Sequence, residues 1–340
     1  MTPFFSIGVT TYDRIEMLIE TLRSILNQTF SDYEVVVSND NPARTITGES
    51  LGINDGRVRF VNQAKNLGER SNMNFLLKES KGRYFTWFAD DDLYRSDFLK
   101  RVHEAIIKFD FPACVFTSYI MGGTYHGFDS TASNGEQLFT GQQFLGQYLA
   151  RVLKIQGCYG VFDTGYLRQV GGIGQLGSGF SSYYGDLPGN VFFPYADNLL
   201  IIRSGLLEKV IFIDSPLIFY RTHEGSVSLI NTDLDAYSSA QKDLCNEFVN
   251  IFYKKKTLDN FQRDLYLLLK WCIGDFVAVA LRSRVIKYKQ LAAYIIFLRN
   301  YARFLGCGIL YWKIVGFLIK AMAALALGIG KARFKLLLRK

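Results

Sequence analysis

Residues that would tie this chain to redox or zinc chemistry are few. Five cysteines, Cys114, Cys158, Cys245, Cys272 and Cys307, are odd in number and scattered through 340 residues. With no CxxC pair and no close histidine, they exclude a disulfide framework and a zinc knuckle and fit reduced thiols. Histidine occurs only three times. The opening MTPFFSIGVTTYDR has no basic n-region, no long apolar core and no small-residue cleavage site, so export is not expected and the cytoplasmic side is. No glycine-rich phosphate loop opens the chain, which argues against a sugar nucleotidyltransferase. No internal repeat or Gly/Ser linker divides residues 1–250, which are expected to form one domain. Acid is scarce at one end only: residues 251–340 hold 18 Lys+Arg against three Asp, whereas residues 1–250 hold 21 Lys+Arg against 28 Asp+Glu. So basic a tail calls for an acidic-surface partner.

What is present is hydrophobic enough to fold, at 49% of residues. FFSIGVT reads as a buried strand, and residues 14–27 place Ile15, Leu18, Ile19, Leu22, Ile25 and Leu26 at helical spacing. YEVVVSND and RVRFVNQ follow as strands, SNMNFLLKES as a helix and GRYFTWFADDD as a strand ending in acid. Strands alternating with helices predict a parallel α/β sheet. Ligands of such sheets bind beyond the carboxyl ends of the strands. Thr11, Tyr12 and Asp13, then Asn39, Asp40 and Asn41, then Asp90, Asp91 and Asp92 all fall at those ends. From about residue 111 to 250 the pattern loosens into short strands and Gly-rich turns, where an acceptor site is expected.

Three consecutive aspartates in a pocket raise one another's pKa unless a cation compensates. Magnesium or manganese suits such a site, because each binds through one or two carboxylates plus substrate phosphates. The residues alone leave a second reading open, in which the aspartates cap the helix that DDLYRSDFLKRVHEAIIKF begins.

The order TTYDR, VVSND, KNLGERSNMN, FADDDL, YADN and FYRTHEGSVS resembles the family 2 glycosyltransferases, inverting enzymes with the GT-A fold, over roughly residues 4–228. The resemblance implies a GT-A domain over 1–250, with a donor half to about 110 and an acceptor half from 111, followed by a basic helical tail over 251–340. It makes Asp90, Asp91 and Asp92 the DXD element holding Mn2+ or Mg2+. A D-x-D-D register would put Ala89 at the first acid and Asp91 at the principal ligand, so all three stay open. Thr10, Thr11, Tyr12 and Asp40 match the donor-base loops, and Asn66, Gly68 and Asn74 the loop and helix that shape the donor pocket. Asp197 matches the general base that takes the acceptor proton, although Ala196 replaces a neighbouring acid; Asp186 in YYGDLPGN is its rival. His223 matches a metal ligand and Arg221 a phosphate contact.

The expected activity is transfer of a hexose-class sugar, with inversion, from a nucleotide-sugar donor to a saccharide or lipid-linked acceptor in cell-surface polysaccharide or lipopolysaccharide synthesis. The competing expectation is an inactive GT-A scaffold or sugar-binding protein at the membrane, for which Ala89 and Ala196 speak. Residues 261–340 interleave apolar helical runs with Lys and Arg; Lys313 and Lys320, seven apart, share a face. That is the pattern of a peripheral helix lying on an anionic membrane surface. Residues 308–330 approach spanning length, but each lysine costs roughly 2.5–3.5 kcal/mol near the bilayer centre. Nucleic acid is not an expected partner, since no exposed stacking aromatics accompany the basic residues.

Overall fold

The run Phe5–Thr11 is buried along almost its whole length, as a strand must be when parallel neighbours flank it and helices cover both faces. In a computed structural model the protein is described over residues 2–128, 135–173, 194–195, 197–226, 232–254, 256–257, 259–283 and 288–326. The elements of the first part are β1 (Phe5–Thr11), α1 (Ile15–Leu26), β2 (Tyr33–Asn39), α2 (Gly48–Leu51), β3 (Val58–Asn62), α3 (Glu69–Glu79), β4 (Tyr84–Ala89), β5 (Leu93–Tyr94) and α4 (Phe98–Lys108). There follow β6 (Cys114–Gly122), β7 (Glu136–Phe139), α5 (Gly141–Leu149), β8 (Val161–Asp163), α6 (Thr164–Gln169), α7 (Asn198–Ser204) and β9 (Val210–Arg221). The sheet runs β3-β2-β1-β4-β8-β6-β9-β5, with β7 paired to β9.

Its first four strands are parallel, as the alternation of strand and helix predicts. Beyond β4 the sheet is mixed: β8 is antiparallel to both β4 and β6, while β6 and β9 run parallel. Pro216, which lacks an N–H, sits in β9 opposite Ser118, where the β6–β9 register breaks. The core joins Ile7, Val9, Val35 and Val37 to Leu18, Leu22 and Ile25 of α1 and to Leu99, Val102 and Ile106 of α4.

The chain forms two compact units. The first, Met1–Phe144, Leu153–Phe192 and Ala196–Glu224, holds the sheet. The second, Leu145–Val152, Phe193–Tyr195 and Gly225–Lys340, is helical: α8 (Leu234–Phe248), α9 (Phe261–Ser283), α10 (Tyr288–Ala302) and α11 (Ile309–Ala326). The helical unit therefore begins earlier than the basic composition does, because α8 packs on α9. Gln241 of α8 donates to the Cys272 carbonyl at 3.1 Å and accepts from Tyr294 at 2.8 Å. Along α9 the buried Leu265, Leu268, Leu269, Cys272, Ile273 and Phe276 keep the three-four spacing of one face. In α11, Ile314, Phe317 and Ala321 are buried while Ile309, Trp312 and Ile319 are exposed. No helix among the described residues is long and apolar enough to cross a membrane.

Candidate active site

Register brings the candidate residues to one sheet edge. Thr10 pairs with both Ser38 and Ala89, and Thr11 with Asn39, so the loops after β1, β2 and β4 leave the sheet side by side. The Asp40 N–H donates to the Thr11 carbonyl at 3.0 Å.

The three aspartates are all buried, with 0%, 8% and 1% of Asp90, Asp91 and Asp92 exposed. They cap no helix, since α4 begins only at Phe98, after β5 has intervened. Each has a different setting. Asp90 pairs with the Arg14 guanidinium, and neither of its oxygens takes a hydrogen bond of good geometry among the described residues. Burial raises its pKa, against the opposing charge of Arg14. Asp91 Oδ2 receives Arg14 Nη1 at 2.8 Å and lies 3.0 Å from His223 Nε2. Asp92 is fully engaged: one oxygen accepts from the Tyr159 hydroxyl, the other from the Arg221 N–H at 2.7 Å, and its carbonyl accepts from Thr21 Oγ1 at 2.8 Å. Burial, then the charge of Asp91, push the Asp92 carboxyl up to about 7.

Among the described residues no cluster of three or more His, Cys, Asp or Glu forms a metal cage. Magnesium and manganese need less, taking one or two protein ligands and completing their shell with phosphate and water. Asp91 and His223 meet that requirement, an anionic oxygen and an imidazole nitrogen converging within 3.0 Å. Asp92, whose oxygens are both bonded, is better suited to orienting the loop than to ligating.

Asp197 precedes α7 without capping it by its side chain; its Oδ2 accepts the Gly157 N–H at 3.2 Å. A Cβ on Gly157 would lie 2.2 Å from the Asp197 carbonyl oxygen, so glycine is what lets the two segments meet. Asp186 lies outside the described residues. Asp40 accepts from the Leu67 and Gly68 amides at 2.7 and 2.9 Å. It thereby clamps the turn in which Gly68, at φ 78°, leads into α3. Asn66 Oδ1 joins the same turn through the Gly68 N–H at 2.8 Å. Asn74 exchanges two 3.0 Å hydrogen bonds with the backbone of Ile173, which gives it a bracing place. Tyr12 is half exposed beside the edge, where a base-sized ring could stack on it. The Arg221 guanidinium is paired with Glu20 at 2.6 Å, so only its backbone reaches the acid triplet.

Two residues belong here that sequence reasoning passed over. Arg14 is the cation of the triplet, and its signal was the charge balance of TTYDR against three acids. Glu69, first in α3, keeps contact with solvent although much of the surrounding space is protein. Burial and then the charge of Asp197 raise its pKa, with Arg14 opposing and Asp91 adding. Glu69 therefore shares one electrostatic neighbourhood with Asp197, Arg14 and Asp91.

The model of Glycosyl transferase family 2 matches residues 6–162, from β1 through the loop of Asp90–Asp92 to β8. These residues belong to that family. Among curated proteins, the glycosyltransferase GlyG of Streptococcus pneumoniae serotype 4 is 23% identical over 266 residues, covering 75% of this chain and 80% of the relative. A Campylobacter jejuni GalNAc(5)-diNAcBac-PP-undecaprenol β-1,3-glucosyltransferase is 34% identical over 93 residues. That alignment covers 26% of this chain and spans 30% of the relative's length. The crystal structure of Staphylococcus aureus TarS 1–349 in complex with UDP-GlcNAc superposes with a TM-score of 0.59 at 14% identity, covering 96% of this chain and 87% of that one. The chain thus has the GT-A fold, a large mixed sheet flanked by helices, together with a helical unit.

Proposed function

We propose that this family 2 glycosyltransferase moves a hexose-class sugar from a nucleoside diphosphate donor to a hydroxyl of a saccharide or lipid-linked acceptor, with inversion and with help from Mn2+ or Mg2+. The observation that carries the reading is the convergence of Asp91, His223 and Arg14 at the edge where β1, β2 and β4 end. The binding of UDP-GlcNAc by TarS supports a nucleotide-sugar donor, and the lipid-linked acceptor in the name of the Campylobacter relative supports an acceptor of that class.

Asp91 and His223 would hold the metal, which supplies Lewis-acid neutralisation of the departing diphosphate. Arg14, already facing the same oxygen, adds a fixed positive charge where negative charge develops. Thr10, Thr11, Tyr12 and the Asp40-clamped turn bound the donor side. Asp197 takes the acceptor proton; inversion follows from one attack opposite the leaving group, with the base on the acceptor side. Glu69 shares the electrostatic field of Asp197, whose charge raises the Glu69 pKa. The exposed Ile309, Trp312 and Ile319 of α11, next to Lys313 and Lys320, support peripheral contact with an anionic membrane on its cytoplasmic side.

Calorimetric titration with UDP, GDP, CDP and dTDP, each with and without Mn2+, tests the reading. Metal-dependent binding of one nucleotide is the expected result; a folded protein that binds none of them defeats it.

A further inference from the structure

Residues 1–250 carry more acid than base, 28 Asp+Glu against 21 Lys+Arg. Against that background one cavity of the sheet-bearing unit is lined by three arginines and a single aspartate. Its volume of about 860 Å3 falls among sites for small organic ligands, roughly 300–1,000 Å3. The second half of α1, the stretch after Asp92, α4 and the segment after β6 wall it.

The arginines are not equivalent. Arg95 is committed, its Nε and Nη2 donating to the two Asp97 oxygens at 2.5 and 2.9 Å and its Nη1 to Ser215 at 3.3 Å. Arg23 on α1 and Arg101 on α4 make no side-chain hydrogen bond or ion pair among the described residues. Two guanidiniums beside one cavity, neither in a close ion pair and Arg101 meeting the Asp97 charge only at longer range, repel each other, and an anion between them removes the repulsion. The guanidinium fork fits carboxylate or phosphate oxygens in pairs. At the rim, Tyr125 is 42% exposed and meets Phe128 edge to face at 5.3 Å. Aromatic faces beside cationic forks suit a ligand that carries both an apolar ring face and an acid group.

We propose that this cavity binds an anionic saccharide, with Arg23 and Arg101 on its carboxylate or phosphate groups and Tyr125 and Phe128 against its ring faces. The inference rests on the glycosyl-transfer reading, which makes the ligand a sugar. The wall Leu93–Asp97 continues directly from Asp92. A charged carbohydrate chain held here stays attached to the protein beside the loop of the acid triplet between transfers.

Titration calorimetry of the full chain with hyaluronan octasaccharide, and with neutral maltoheptaose, tests this. Hyaluronan is expected to bind at least tenfold more tightly than maltoheptaose. The double substitution Arg23→Ala/Arg101→Ala is expected to weaken hyaluronan at least tenfold and to leave UDP binding unchanged. Should the double variant fail to fold, Arg23→Ala alone, at an exposed position, is expected to weaken hyaluronan at least threefold. Tyr125→Ala should weaken both sugars. Unaltered hyaluronan binding in the arginine variants, equal affinity for the neutral sugar, or no hyaluronan binding at all overturns the inference. If UDP still binds in any of those cases the donor site stands; loss of UDP binding to the unaltered chain removes both.

Discussion

Buried polar groups are treated differently in the two units. In the helical unit Gln241 is bonded on every side, to the Cys272 carbonyl, the Tyr294 hydroxyl and the Tyr195 hydroxyl, at 2.8 to 3.1 Å. At the edge of the sheet, Asp90 keeps two buried oxygens without a good hydrogen bond, and Asp91 shares one oxygen between Arg14 and His223. A satisfied network fixes a core. A buried carboxylate cluster with incomplete bonding costs stability and fits a place where a cation and a phosphorylated ligand complete it. Polar burial is thus satisfied within the protein in one region and left incomplete in the other.

The comparison breaks most visibly at Asp91. Asp91→Ala should lower turnover by roughly a hundredfold or more, since metal assistance is worth several kcal/mol, with little loss of thermal stability. Nucleotide release assays and a melting curve on the same variant check this, and near-normal turnover would remove the metal assignment. Gln241→Ala should do the reverse. Leaving three buried partners unpaired costs about 2–3 kcal/mol, read by denaturant unfolding, while the KM for the donor stays unchanged.

Arg14→Gln lies between the two. It strips the cation from Asp90 and Asp91 and should cost about 2 kcal/mol, less than the loss from a fully buried pair because Arg14 is partly exposed. Saturating Mn2+ should restore most of that stability, and a variant that unfolds identically with and without Mn2+ would count against the site.

A smaller effect concerns pH. The folded-state pKa of Asp92 stands at about 7, above its ordinary 3.8, so the folded form holds its proton more tightly. Its contribution to stability is full below the ordinary value and is lost as pH rises through about 7. Asp92→Asn should flatten the pH dependence of unfolding across that window; an unchanged slope would mean that other groups set it. The smallest change in stability, within about 0.5 kcal/mol, is expected of Trp312→Ala combined with Lys313→Glu and Lys320→Glu. The same variant should float less well with anionic vesicles than the unaltered chain.

Much of this is legible in the amino-acid sequence. The parallel half of the sheet was written in FSIGVTT, YEVVVSN and YFTWFA, because strands buried on both faces must be continuously apolar. The acid loop was equally plain, since three adjacent aspartates demand a counter-charge. Other features were not legible. Sequence left Asp90, Asp91 and Asp92 equivalent, and their division of labour came from Tyr159, Arg221 and His223, which lie 67 to 132 residues away. Arg221 looked like a phosphate contact, yet its side chain pairs with Glu20, 201 residues away in the chain. Asn74 was read as pocket-shaping and is bonded to Ile173, 99 residues on. Composition also placed the start of the tail too late, because α8 is not basic and joins the helical unit through Gln241.

By itself the sequence determined the alternation of strand and helix, the likeness of residues 6–162 to Glycosyl transferase family 2, and which loops carry acid, since these are carried by local periodicity, motif order and residue type. Tertiary structure decided which aspartate faces His223, that Arg14 pairs with Asp90 and Asp91, and that Glu69 shares the field of Asp197. Burial and charge pairing between segments far apart in the chain exist only once the sheet has brought their ends to one edge.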